Sequence, residues 1–427
     1  MKSITIPYGE SEISFDIEDS RIIDILRPHD LVGVNPYATT LNALHEPVDG
    51  LGLRSIVKRN RSAVIIADDY TRPTPAGPIC LAILDELNSL GVSDSSVTVI
   101  VAAGLHRAMD ERELKEKFGD ELLRRVPIIP HNAWDDDQNQ HLGQTSRGTP
   151  MWINKRVVHA DLRITVGTIM GHFTAGYGSG PKTILPGVSG YRTIYFNHAV
   201  LSSTRSATIG ATNGNPCWED MVDALQFLGP TLAVNVVLNS KNELVAAFHG
   251  SPVAAQKSGL DLYHSIYAFK AESKADIVIA STNPEYAYLD QCLKTIVPMS
   301  MFVKRGGIRI IASPCREHLG PQFLRELYYD SLSGEWPTPE DYQNMMHAGK
   351  FKDIGDAAGI LKFLQSNNSE LIFVSDQSFK EDLTNLGIRH SSSIQDALAE
   401  ATHKLGSESK ALIIPYGPIT FPLNTEN

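Results

Sequence analysis

The groups best able to do chemistry are concentrated in Gly171-His172-Phe173-Thr174-Ala175-Gly176-Tyr177-Gly178-Ser179-Gly180-Pro181-Lys182-Thr183-Ile184-Leu185-Pro186-Gly187. Glycines at 176, 178 and 180 let the backbone take φ > 0 and come close to a ligand. Backbone N–H groups in such a turn can line an anion site. Lys182 just beyond them is a point charge for a phosphate or, partly desolvated, a nucleophile. His172 stands at the end of the apolar run Leu162-Arg163-Ile164-Thr165-Val166. Three readings follow: a tight glycine turn with a solvated lysine, a nucleotide P-loop, or a covalent or phosphate-bearing cofactor held at Lys182 beside His172. A P-loop needs G-x-x-x-x-G-K-[ST]. Gly176, Lys182 and Thr183 fit that pattern, but Pro181 occupies the second required glycine and offers no N–H.

Two more strand ends carry reactive groups. Ser62-Ala63-Val64-Ile65-Ile66-Ala67 runs into Asp68-Asp69-Tyr70-Thr71-Arg72-Pro73-Thr74-Pro75. Ser96-Val97-Thr98-Val99-Ile100-Val101-Ala102 runs into Ala103-Gly104-Leu105-His106-Arg107. Taken singly, an Asp-x-x-Arg turn can pair with itself, and a histidine after a strand is commonly a structural hydrogen-bonder. In parallel sheets, however, ligands bind beyond the carboxyl ends of the strands. Asp69 with Arg72, His106 and His172 all fall at such ends. A short helix after the glycine loop carries His198, a histidine beside apolar residues of the kind often found in cores. Gln291 and Lys294 lie one turn apart on a later helix, either reaching into a cleft or forming a solvated face.

The elements that must position these groups alternate as strand and helix. Residues 2–18 read as a hairpin. Buried strands at 62–67, 96–102 and 162–166 are each followed by loops, with helices from about 77 to 90 and from about 110, the rhythm of a parallel sheet with covering helices. Pro216 opens a further helix. Residues 232–238 form a strand that the segment after Asn242 can join as a hairpin. A long helix from Ala254 to about Ala271 ends the first domain. A second βαβ series has strands at 275–280, 307–312 and 371–375. The expected organisation is α/β: two domains with mainly parallel sheets and an interdomain active-site cleft. The first spans 1–270 and is completed by the chain end, 408–427, through the strand Ala411-Leu412-Ile413-Ile414. The second spans 273–400.

Composition narrows the function. The chain has 427 residues, a hydrophobic fraction of 42% and a charged fraction of 20%, as soluble globular proteins do. A net charge of −11, without a basic cluster, argues against nucleic acid as a partner. Cys80, Cys217, Cys292 and Cys315 are too scattered for a zinc or disulfide framework. No signal-peptide core and no apolar run of bilayer length stands out, so no membrane partner is expected and the location expected is cytoplasmic.

These residues together resemble the nickel-dependent lactate racemase family. The resemblance rests on Asp69-Tyr70-Thr71-Arg72-Pro73, Gly104-Leu105-His106-Arg107, the Gly171–Gly187 loop with His172 and Lys182, His198, and Gln291 with Lys294. It implies a nickel-pincer nucleotide, a pyridinium-3-thioamide-5-thiocarboxylate mononucleotide made by separate cofactor-biosynthesis proteins. It implies Lys182 as the covalent attachment, His198 as a nickel ligand, and His106 and His172 as the acid/base pair. Asp69, Gly176, Gly178, Ser179 and Gly180 then surround the cofactor, and Arg72, Gln291 and Lys294 bind substrate. The implied reaction inverts C2 of a small-molecule 2-hydroxy acid by hydride transfer. A hydride acceptor suits this chemistry, because removing a C2 proton beside a carboxylate is hard. Pro181 and Asp290 depart from the family pattern. Asp290 stands where lactate-specific relatives tend to have an aromatic residue, so a substrate larger or more hydroxylated than lactate, such as a sugar acid, is expected. A nucleotide-dependent phosphotransfer enzyme and a non-catalytic hydroxy-acid- or cofactor-binding protein remain as other classes.

Overall fold

The computed structural model describes residues 1–57, 61–270, 274–320, 338–350, 354–366 and 368–423. The chain divides into two compact units, Asp30–Ile266 and Met1–His29 with Tyr267–Asn427.

The Asp30–Ile266 unit is built on a six-stranded sheet. Its order is Leu244–Gly250, Thr231–Leu238, Leu162–Thr168, Ala63–Asp68, Val97–Ala102 and Ile128–Pro130. Only the edge hairpin pair is antiparallel; the other four pairings are parallel. The central strands are apolar on both faces because both faces are covered. Ile65, Val99, Ile164 and Val234 pack on one side with Ile79, Ile83 and Leu87 of the helix Ala76–Ser89. Val64, Ile66 and Ile100 pack on the other with Ile153, Val157 and Ile184. The helix Glu111–Arg125 begins at a capping box in which Asp110 accepts from Glu113 N and Glu113 accepts from Asp110 N. The parallel register sets Asp68 beside Ala102, so the turns carrying Asp69 and His106 leave neighbouring strands at one end of the sheet. A hairpin Asn139–Gln144/Pro150–Asn154 intervenes before the strand Leu162–Thr168; the sequence reading gave it no element.

The other unit has a second six-stranded sheet, ordered Arg389–Ser391, Glu370–Val374, Val303–Ala312, Ala275–Ser281, Ala411–Ile414 and Ile22–Ile25, with every pairing parallel. The N-terminal hairpin Lys2–Tyr8/Ser11–Ile17 lays Ile4, Ile6, Phe15 and Ile17 on Ile277, Ile279, Ile308 and Ile310 of this sheet.

Here the fold corrects the expected domain plan. The chain end does not complete the first domain, and residues 1–29 do not belong to it. The strand Ala411–Ile414 is buried at every position and pairs on both sides, with Ala275–Ser281 and with Ile22–Ile25. A strand apolar on both faces needs two neighbours and two covers, and this sheet supplies them. The long helix ends at Tyr267 rather than near 271, and 271–273 lie outside the described residues. Among the described residues no helix is long and apolar enough to cross a membrane.

Candidate functional site

Asp69 begins the turn after the strand Ala63–Asp68 and is 2% exposed. Its Oδ1 accepts from Thr71 N at 3.1 Å and Thr71 Oγ1 at 2.6 Å. Its Oδ2 lies 2.6 Å from His106 Nδ1. Burial raises this carboxyl's pKa, but the His106 ring, the bonds to His106 and Thr71, and the charge of Arg72 outweigh it and hold the group well below the usual carboxylate range. A carboxylate facing Nδ1 assigns the proton to that nitrogen, so neutral His106 keeps a lone pair on Nε2.

Outside the expected residues, Lys117 secures the turn. Its Nζ lies 3.1 Å from Asp68 Oδ1 and donates to Arg72 O at 2.9 Å. Thr74 and Thr168 tie the turn to the neighbouring strand end, hydroxyl to hydroxyl, at 2.6 Å. Arg72 folds back, its guanidinium donating to Thr71 O and Oγ1 at 3.0 Å each.

The glycine loop is a two-residue hairpin followed by a tight turn. Gly171–His172 pairs antiparallel with Gly176–Tyr177. Gly176 has φ +74°, and a Cβ there would sit 2.1 Å from Ala211 O. Tyr263 accepts from Gly171 N at 2.9 Å, and Gln256 donates to Gly178 O at 2.8 Å. His172 Nδ1 accepts from Ala175 N at 3.1 Å. That places the His172 proton on Nε2, the opposite tautomer from His106. Ser179 adopts φ 62°, ψ −163°, a region normally left to glycine, and its buried Oγ has no hydrogen-bond partner. Gly180–Thr183 then forms a 3₁₀ turn carrying half-buried Lys182. Pro181 fits as an early residue of that turn, where a missing N–H costs nothing. Gly104 N donates to Gly187 O at 3.0 Å, tying the loop's end to the turn that holds His106.

His198 lies on a π-helical turn, Phe196–Val200, that continues the helix Tyr191–Tyr195. Its ring is 6.3 Å from that of His172, nearly edge-on at 71°. Both His198 nitrogens are shut off from solvent without a hydrogen-bond partner. Burial pushes its pKa well below the ordinary value, and the charges of Lys182 and His106 add to the shift. His106, His172, Lys182 and His198 therefore gather in one region. Among the described residues no group of three or more His, Cys, Asp and Glu is arranged to hold a metal.

Gln291 and Lys294 share one face of the helix Leu289–Met299, in the other unit. Lys294 Nζ is 2.5 Å from Gln291 Oε1 and 3.1 Å from Glu285 Oε2, and Gln291 donates to Tyr288 OH at 3.1 Å. Glu285 and Tyr288 were not picked out from the sequence. The Asp290 side chain lies outside the described residues.

Comparison with known proteins decides the family. Residues 8–210 match the lactate racemase N-terminal domain and residues 270–420 the lactate racemase C-terminal domain. A lactate racemase of Thermoanaerobacterium thermosaccharolyticum is 30% identical over 426 residues, 98% of each chain. The chain belongs to the lactate racemase family. A second lactate racemase, from Lactiplantibacillus plantarum, is 29% identical over 98% of this chain and 99% of its own. The lactate racemase apoprotein of T. thermosaccharolyticum superposes with a TM-score of 0.89, covering 99% of this chain and 100% of that one at 29% identity. A Thermotoga maritima protein at 14% identity and TM-score 0.67 shares the fold. Membership in the lactate racemase family supports an isomerase of the racemase type.

Proposed function

We propose that this lactate racemase family member inverts C2 of a 2-hydroxy acid with a nickel-pincer nucleotide joined to Lys182. The observation that carries the reading is that His106 and His172 hold opposite tautomers while a third ring, His198, 6.3 Å from that of His172, has both nitrogens unpartnered. His198 fits a metal: a neutral, buried imidazole offers a lone pair that no protein group uses. Ser179 fits a ligand too, with a strained backbone and a buried hydroxyl left unsatisfied. When bound, the group supplies a reversible hydride acceptor, which spares the enzyme a carbanion at C2.

The chain's own residues handle the proton and the orientation. His106 Nε2 takes the C2 hydroxyl proton, and Asp69 stabilises the resulting imidazolium through Nδ1–H. Acid/base help of this kind is worth roughly 10²–10⁴-fold. His172, with Nδ1 held by Ala175 N–H, offers Nε2–H to the oxygen of a planar 2-keto acid. Asp69 orients His106 through its bond to Nδ1. Substrate binding by Arg72, Gln291 and Lys294 is proposed from the family resemblance, as is the preference that Asp290 suggests for a substrate larger or more hydroxylated than lactate. The proposed setting is the cytoplasm, with separate proteins supplying the cofactor.

The test uses cofactor-loaded protein and single enantiomers of lactate and of hydroxylated 2-hydroxy acids in D₂O. The expected result is the opposite enantiomer without deuterium at C2. Deuterium at C2 would replace hydride transfer by proton abstraction, and no inversion of any acid by fully loaded protein would sink the reading.

A further inference from the structure

A buried polar network lies against the turn that carries His198. Asp220, on the helix Pro216–Ala224, is 0% exposed. Its carboxylate is satisfied by neutral donors: Thr145 Oγ1 at 2.5 Å, Thr149 Oγ1 at 2.8 Å and Asn197 Nδ2 at 2.8 Å. Asn197, equally buried, also donates from Nδ2 to Cys217 O at 3.0 Å and accepts from the Cys217 thiol at 3.1 Å. Asn197 immediately precedes His198 in the π turn.

The pattern makes sense as a positioning device. A buried carboxylate without a cation is an expensive way to fill a core, and apolar residues of the same size are commonly as stable or more so. Metal-bound histidines usually gain their orientation from a hydrogen bond to the second ring nitrogen. His198 has no such bond, since both nitrogens are unpartnered. Its direction must come from its backbone, and that backbone is a π turn, a form that re-aims side chains and recurs at functional sites. The contacts fixing the turn from outside include Asn197 to Asp220 and Cys217.

We infer that Asp220, acting through Asn197, is a positioning residue that holds His198 aimed as a metal donor. The inference rests on the nickel reading of this site. Asp220→Asn sets an amide donor in a place ringed by donors while preserving volume. In cofactor-loaded protein dialysed against a chelator, the variant should lose nickel about 10–100-fold more readily than wild type, the range seen for outer partners of metal ligands. Its Lys182-linked mass and its circular dichroism should stay unchanged. Nickel retention equal to wild type, with only a lower melting temperature, would reduce the network to core stability and overturn the inference. If Asp220→Asn does not fold, Thr149→Val removes one donor and should raise nickel loss several-fold; wild-type retention there overturns it equally. A wild-type protein that never gains mass at Lys182 would sink the reading beneath it instead.

Discussion

Two histidine turns in the Asp30–Ile266 unit follow opposite rules. Around His106, a buried carboxylate accepts a hydrogen bond from the ring's Nδ1–H, a threonine braces that carboxylate, and Lys117 caps the turn. Around His198, the neighbouring backbone is tied down while the ring itself is left with two bare nitrogens. The first arrangement fixes one tautomer, with the proton on Nδ1 and the lone pair on Nε2. The second makes a ring that burial keeps from protonation and whose lone pair is left unused. On the proposed reading, one residue type serves proton transfer in one place and donor chemistry in the other, and the partner of the second nitrogen decides which.

The largest expected effect breaks the second arrangement. His198→Ala should leave the Lys182-linked mass in place but abolish nickel retention and inversion together, read by intact mass and metal analysis. Lys182→Ala should abolish the added mass itself. If His198→Ala protein still held nickel, the ring's bare nitrogens would need another explanation, and the contrast with His106 would lose its meaning.

The first arrangement is tested by Asp69→Asn. An amide facing Nδ1 can donate, which drives the His106 proton to Nε2 and leaves both rings presenting N–H groups. Inversion should fall by about 10²–10⁴-fold with the cofactor still attached. A fall of less than tenfold would mean that Asp69 serves the turn and not the tautomer.

Much of this was legible in the residue pattern, for physical reasons. Buried strands announced themselves as apolar runs, and adjacent parallel strands must end together, so Asp69 and His106 were bound to approach once Ala63–Asp68 and Val97–Ala102 paired. Of the glycines at 176, 178 and 180 read as free to take positive φ, 176 and 180 adopt it and 178 does not. Other features left no local trace. A π turn has the same apolar spacing as the helix it interrupts, so 196–200 read simply as helix. The Asp220–Asn197 bond and the Lys117 cap join residues that only the fold brings together. The strand Ala411–Ile414 advertised that it was buried, but not beside which strand; the open flank of Ala275–Ser281 decided that.

The glycine loop gives a smaller, purely structural test of what keeps His172 in its tautomer. Gly176→Ala puts a methyl 2.1 Å from Ala211 O and holds alanine at φ +74°. Overpacking and the left-handed backbone together should cost about 2–4 kcal/mol, measured as a lower urea midpoint. If the substitution left stability unchanged, the loop would be free to shift, and the Ala175 N–H could not be what fixes the His172 proton.

A third histidine sharpens the comparison, since its two nitrogens are both engaged by the protein. His131 is 3% exposed; its Nε2 donates to Ser189 O at 2.8 Å and its Nδ1 accepts from Asn154 Nδ2 at 3.1 Å. Burial pushes its pKa down to about 4, against the opposing pull of the Ser189 carbonyl. In the unfolded chain the ring titrates at roughly 6.5. Between those values the unfolded state binds the extra proton, so stability falls as pH falls through that window and is unaffected by this group above it. The loss should be roughly 1 kcal/mol between about pH 6.5 and 5.5. His131→Gln keeps a donor and an acceptor without titrating, so its stability should lose less than wild type over the same range, measured by urea unfolding at each pH. Equal slopes for the two proteins would mean that His131 can take its proton while folded, which the Asn154 amide facing Nδ1 opposes.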